Sequence, residues 1–290
     1  MWTKFECNNP DFHVRSLPDN VTFGVTRLAM QRSEVFRDMF SLCEPGTADA
    51  SAVRVPEDTV DLDEPSETLT ILLTLLHNPP DAPVETTTDP YKKEYDPATV
   101  IPLPLLESVI LRLIDKYALE EAIVRSLEIH LQAHGPTHGL KVHCIALAHD
   151  RIHAANLASQ YILPIAQYTK EEVKYIPTVQ AYHNIVRFQD FRVKALRDLV
   201  LNEDIFPHGY GECSVHRDRT LTAWDTRRRG LLARIETGSD VAWEMKGLEE
   251  TFRNCNTCHK ACIAAVEMLS YKCRRIPWAL HKLPAGYLDS

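Results

Sequence analysis

Apolar residues recur at helical spacing over the last two thirds of the chain, and this pattern limits the folds open to it more than any other feature. Leu105, Leu106, Val109, Ile110, Leu113, Ile114 and Tyr117 form one stripe, and Leu119, Ile123, Leu127 and Leu131 form another. Residues three and four positions apart share one face of an α-helix, so each stripe needs a surface to cover it. The two together predict a helical hairpin. Gly135-Pro136 interrupts the pattern; Leu140 to His149 and Ala154 to Ile162 then predict a second helical pair, ended by Pro164. A long helix is expected from about Thr178 to Leu201, with Val179, Tyr182, Val186, Val193, Leu196 and Val200 facing inward and Pro207 with Gly209-Tyr210-Gly211 closing it. Further amphipathic stretches carry Leu221, Trp224, Leu231 and Ile235, and run from Leu248 to Leu269. From residue 105 onward the chain reads as nearly all helix.

The first hundred residues follow another rule. Phe12 to Leu17 alternates with period 2, Pro18-Asp19-Asn20 closes it, and Val21 to Val25 follows, which predicts two short strands joined by a turn. Leu28-Ala29-Met30 precedes Ser33, a suitable N-cap for a short helix carrying Val35, Phe36, Met39 and Phe40. Ser51 to Pro56 reads as a third strand and Thr68 to Leu76 as a buried helix. Residues 78–104 hold seven of the 18 prolines among Asp, Glu and Thr, and read as an irregular, disordered connector rather than a docking peptide.

Charge and hydropathy exclude whole classes of function. The formal charge is −8, and residues 44–96 carry 13 acidic against three basic side chains, so the basic face that phosphate binding requires is missing. No nucleic-acid partner is expected. The richest apolar run, Ile71 to Leu76, is far below the roughly 18 residues that span a bilayer, and MWTKFECNNP lacks the apolar core of a secretory signal. An intracellular protein of the cytoplasm or nucleus, without a membrane partner, is expected.

The run from Phe23 to Phe40, FGVTRLAMQRSEVFRDMF, resembles the BTB/POZ domain, in which a strand feeds a helix pair of the approximate pattern F-x-V-H-K-x-x-L-A-x-x-S-x-V-F-x-x-M-F. Thr26 stands where that family usually has His. Leu72 to Pro80 (LLTLLHNPP) is similar to the helix and Pro-rich exit of fungal BTB proteins, and Leu113 to Leu127 (LIDKYALEEAIVRSL) to their helix hairpin, so the resemblance covers residues 11–133. Phe206-Pro207-x-Gly209-Tyr210-Gly211-x-Cys213 and the later Cys-x-x-Cys are similar to the C-terminal half of a fungal subfamily. The resemblance implies a protein-interaction module. Such domains self-associate or dock on cullin-type ubiquitin ligase scaffolds, co-repressors or channels.

The strongest chemical constellation pairs Cys213-x-x-His216 with Cys255-x-x-Cys258. Zinc takes four tetrahedral sulfur or nitrogen ligands, commonly as two close pairs, and on a helix an i, i+3 pair lies on one face. The 38 residues between the pairs exceed a zinc-finger loop, so such a site would clamp two helices. With four protein ligands it would be structural zinc, since no position stays open for water. His259 and Cys262 are substitute ligands; the alternative without metal is a set of small buried thiols beside a surface histidine.

Other clusters have simpler readings. Six histidines crowd residues 130–153, and His149-Asp150-Arg151-Ile152-His153 superficially resembles a zincin helix, but Asp replaces the Glu base and no third ligand follows. A solvated helix face is expected there. Arg227-Arg228-Arg229 with Arg217, Arg219 and Arg234 is offset by Asp218, Asp225 and Glu236, and Trp224 is expected in the core. His143 and Cys144 are adjacent on a helix and point apart, so they form no dyad. Nucleophile elbows, phosphate loops and dinucleotide fingerprints are absent, and no catalytic or cofactor-binding residues are assigned.

These readings combine into an α+β fold. Residues 1–135 form a small BTB/POZ-like domain with a short sheet and a helical layer, and residues 136–290 an all-α C-terminal region. The expected function is non-catalytic protein–protein interaction, with the same chain or other BTB proteins as partners. The alternatives are a substrate adaptor holding a cullin scaffold or a transcriptional co-regulator.

Overall fold

The alternation at the N-terminus becomes a sheet because period-2 apolar residues bury one face of a strand. In the computed structural model, which describes Trp2 and residues 4–43, 59–87, 93–207 and 211–288, β1 (Phe12–Ser16) buries Phe12, Val14 and Ser16. It pairs antiparallel with β2 (Val21–Val25), Phe12 opposite Val25. Asn20 closes the turn at φ 52°, a left-handed conformation that Asn tolerates better than most residues. The chain divides into two compact units, Met1–His134 with His149–Ala154, and Gly135–Ala148 with Ala155–Ser290.

In the first unit, α1 (Arg27–Met30) is capped by the Thr26 hydroxyl. α2 (Glu34–Cys43) starts at Ser33, whose Oγ accepts from the Phe36 N–H at 3.3 Å. Phe36 and Phe40 of α2 are buried, whereas Val35 is exposed, so the apolar stripe is narrower than the sequence suggests. β3 (Thr59–Leu62) adds parallel to β1, giving the sheet order β2-β1-β3. The strand expected at Ser51 to Pro56 lies outside the described residues; β3 was hidden in sequence by its acidic neighbours and its half-exposed faces. α3 (Ser66–His77) is buried over most of its circumference, which its continuous apolar run requires.

After the Pro-rich segment, α4 (Leu103–Leu105), a π-helical turn at Leu106–Ile110 and α5 (Leu111–Tyr117) form one continuous stretch. Ala118, at φ 45°, turns the chain into α6 (Glu121–Ala133). This hairpin is tied to α2 through the backbone. The Ser33 hydroxyl donates to the Tyr117 carbonyl at 2.5 Å, the Glu120 N–H donates to the Arg32 carbonyl at 2.7 Å, and the Phe36 and Tyr117 rings stack 5.4 Å apart.

The reading of residues 78–104 as a disordered connector is corrected in its described part. Ser126 Oγ donates to the Pro80 carbonyl, and His130 accepts from the Ile101 N–H through Nδ1 and donates to the Asp81 carbonyl through Nε2, at 3.2 and 2.9 Å. Side chains of α6 thus hold the segment, and within it Glu85 pairs antiparallel with Tyr95, the Thr86 N–H donating to the Glu94 carbonyl at 2.8 Å and the Asp96 N–H to the Val84 carbonyl at 2.9 Å.

The second unit is helical. It comprises α7 (Gly135–Ala148), most of α8 (Ile152–Ala158), α9 (Lys170–Val173), α10 (Val179–Asn202), α11 (Arg217–Leu232), α12 (Val241–Lys246) and α13 (Asn256–Cys273). A Cβ on Gly139 would lie 2.6 Å from the Tyr161 carbonyl oxygen, so only glycine permits that approach. Leu196, Val200, Trp224, Met245, Cys262 and Leu269 belong to the main core.

Two expectations change here. α10 buries Ala181, Ile185, Phe188, Leu196 and Val200, while Val179, Tyr182 and Val186 are exposed. The true stripe is interrupted by Arg192, which donates to the Thr237 and Pro277 carbonyls at 2.6 and 2.9 Å; a charged residue that serves backbone acceptors is invisible to an apolar count. The helix expected from Leu248 to Leu269 instead begins at Asn256, after a 3-10 turn at Glu250–Phe252. Among the described residues no helix is long and apolar enough to cross a membrane.

Candidate metal centre

α11 and α13 begin at the same place. His216 is the N-cap residue of α11 and Cys255 that of α13, so two helix N-termini, each carrying a partial positive charge, converge on one cluster. Cys213 lies three residues before the N-cap of α11, and Cys258 lies in the first turn of α13.

The four ligand atoms of Cys213, His216, Cys255 and Cys258 all lie within 4.8 Å of one another. Cys213 Sγ is 3.7 Å from Cys255 Sγ and 3.5 Å from His216 Nδ1. In a tetrahedron with Zn–S near 2.3 Å and Zn–N near 2.0–2.1 Å, ligand edges are roughly 3.7–3.8 Å for S to S and roughly 3.5–3.6 Å for S to N. These two separations match those edges.

The surrounding groups favour thiolate. Backbone N–H groups of Val215 and His216 point at the Cys213 sulfur and hold its pKa below the ordinary thiol value. Those of Cys258 and Thr257 do the same for Cys255. Cys258 differs: it is 1% exposed, burial raises its pKa, and the Thr220 hydroxyl donates to its sulfur at 3.3 Å. A divalent cation would reverse that, because a coordinating thiol is deprotonated outright. The arrangement can therefore hold one soft to borderline divalent cation in a closed four-ligand shell.

All four residues singled out in the sequence come together here. His259 and Cys262 are not among them; Cys262 is fully buried in the core and its thiol is pushed up to about 12 by burial.

The remaining clusters separate. The expected solvated histidine face is corrected: His130 and His143 are buried, and desolvation lowers the pKa of both. His143 binds the Ala155 carbonyl at 2.7 Å, and burial pushes the neighbouring Cys144 up to about 12, so neither is poised to react. His149 to His153 is not one helix. α7 ends at Ala148, Asp150 has φ 55°, and α8 starts at Ile152, which removes the spacing a zincin pair needs. His149 instead meets Asp115 at 2.6 Å, with Arg151 on the other carboxylate oxygen at 2.8 Å. That contact spans 34 residues and had no signal in the sequence.

Four of the six arginines, Arg217, Arg227, Arg228 and Arg234, form ion pairs, chiefly with Glu212 and Glu244, two carboxylates outside the set expected from the sequence, while Glu236 accepts from Gln167. Arg227 meets Glu244 at 3.0 Å, Arg228 meets Asp225 at 2.9 Å, and Arg217 meets Glu212 at 3.2 Å. Trp224 is buried, its Nε1–H donating to the Glu203 carbonyl at 3.0 Å.

No family model matches the chain, and comparison with the curated proteins and with the solved structures yields no significant match.

Proposed function

We propose that this chain is a non-catalytic protein-interaction protein of the BTB/POZ type whose helical unit is clamped by a structural zinc ion held by Cys213, His216, Cys255 and Cys258. The observation that carries the clamp is the closed four-ligand set with edges of 3.7 and 3.5 Å. Such a shell leaves no position for water or substrate, which supports a structural role over a catalytic one. The ion would tie the start of α11 to the start of α13, two helices that share one core.

The interaction half of the reading is supported by the first unit. A three-stranded sheet with order β2-β1-β3 feeds a short helix pair, and a helical hairpin is fastened to that pair through Ser33 and Tyr117. Leu28, Val35 and Leu42 leave α1 and α2 with exposed apolar side chains, 80%, 44% and 87% accessible. A partner that covers them gains their burial. A second copy of the chain fits this reading most simply.

Solution mass of the purified chain tests the interaction reading. An assembly larger than one chain that reverts to monomer in Val35→Glu supports it; a monomer at all concentrations contradicts self-association. Metal analysis of the same preparation tests the clamp.

A further inference from the structure

The four sulfur and nitrogen ligands are not equally protected. Cys258 lies at 1% exposure beneath the Thr220 hydroxyl, whereas Cys255 and His216 are only half buried and Cys213 sits at the boundary with 9% exposure. The two outer sulfurs, Cys213 and Cys255, belong to separate elements 42 residues apart and face each other at 3.7 Å. A disulfide needs about 2.05 Å, so a closing movement of under about 2 Å joins them. The buried thiols Cys144 and Cys262 and the half-buried Cys273 lie outside the cluster, with desolvation holding their pKa values far above the usual thiol range.

We propose that Cys213 and Cys255 form an oxidation-sensitive release for the metal, in which a peroxide-class oxidant converts the two thiolates into a disulfide and expels the ion. The inference rests on the zinc reading given above. The half-exposed Cys255 thiolate attacks one peroxide oxygen; the O–O bond breaks, hydroxide leaves, and Cys255 becomes a sulfenic acid. The Cys213 thiolate then attacks that sulfur, forming the S–S bond and displacing a second hydroxide. The two sulfurs lose two electrons between them, the peroxide gains two, and two protons from solvent turn both hydroxides into water. Only His216 and Cys258 remain as ligands, too few for a four-coordinate zinc site. The new covalent link joins the same two segments that the metal joined, so α11 and α13 stay fastened while the ion is lost.

The full-length chain, purified under reducing conditions and then freed of reductant, is first assayed for zinc. It is then treated with about one equivalent of hydrogen peroxide while a chromophoric chelator reads the released zinc. Alkylation and non-reducing peptide mapping follow. The expected result is about one zinc freed per disulfide formed, Cys213 and Cys255 peptides linked, Cys258 alkylated as a free thiol, and recovery of zinc binding after thiol reductant. Zinc retained at that dose, or released with Cys255 linked to Cys258 or with sulfinic acids and no disulfide, overturns the release. A chain that carries no zinc before oxidant overturns the metal reading itself, and the release with it; the zinc content at the outset tells the two failures apart.

Discussion

The Glu64 carboxylate, whose side chain is 6% exposed, meets the Lys116 ammonium at 2.5 Å and so joins the end of β3 to α5. Arg112 approaches its other oxygen at 3.6 Å. The Glu64 backbone carbonyl also accepts from the buried Ser16 hydroxyl at 2.8 Å, so one residue fastens the sheet to the helical hairpin.

Glu64→Ala is therefore expected to lower the stability of the first unit by about 1–3 kcal/mol, the usual cost of losing a buried charge-assisted hydrogen bond. Arg15→Ala, which breaks the exposed Arg15–Asp61 pair at 2.6 Å, should cost under about 1 kcal/mol. Urea midpoints of the two variants measured side by side check the ordering.

Acid should loosen the Pro-rich segment. His130 is neutral in the fold because Nδ1 accepts from Ile101 while Nε2 donates to Asp81, and burial lowers its pKa. A histidine with a depressed folded pKa contributes stability that is complete above the unfolded value near 6.5 and is lost as pH falls below it through the folded value. The unfolding midpoint should drop between about pH 7 and pH 5, and His130→Gln should show a shallower drop. Equal slopes for the two proteins would contradict this role.

The inward face of α10 gives a sharp pair of variants. Ile185 is 0% exposed and Val179 is 86% exposed. Ile185→Ala should cost about 2–5 kcal/mol and Val179→Ala less than about 0.5 kcal/mol. Thermal or urea unfolding of both proteins separates this face from the one that the sequence pattern favoured.

Native thiol labelling should divide the cysteines into two classes. Burial pushes Cys144 and Cys262 up to about 12 and Cys273 up to about 11, so these should resist alkylation at pH 8 until the chain unfolds. Cys213 and Cys255 should be protected while metal is bound and become the first to react when a chelator is added. Mass spectrometry after timed alkylation reads both classes.

Much of this architecture was legible because it rests on local chemistry. The β1–β2 hairpin, the Ser33 cap, α3, α5, α6 and the start of α10 at Thr178 all follow from periodicity and capping residues. The four candidate ligands were legible for the same reason, since each pair is only three residues apart. What escaped depends on distant partners. β3 is a strand because β1 supplies the ladder, and Arg192 sits on the inner face because the Thr237 and Pro277 carbonyls await it. His130 is buried because it staples a segment that had looked disordered. The meeting of the two ligand pairs likewise depends on how α11 and α13 pack around Trp224 and Leu269, which spacing alone does not encode.

The clamp at Cys213, His216, Cys255 and Cys258 is tested most directly by elemental analysis of the purified full-length chain, paired with far-ultraviolet circular dichroism before and after a strong chelator. About one zinc per chain, with helix content or thermal stability falling when it is stripped, is the predicted result. Absence of stoichiometric zinc, with helicity and unfolding temperature indifferent to chelator, would contradict it.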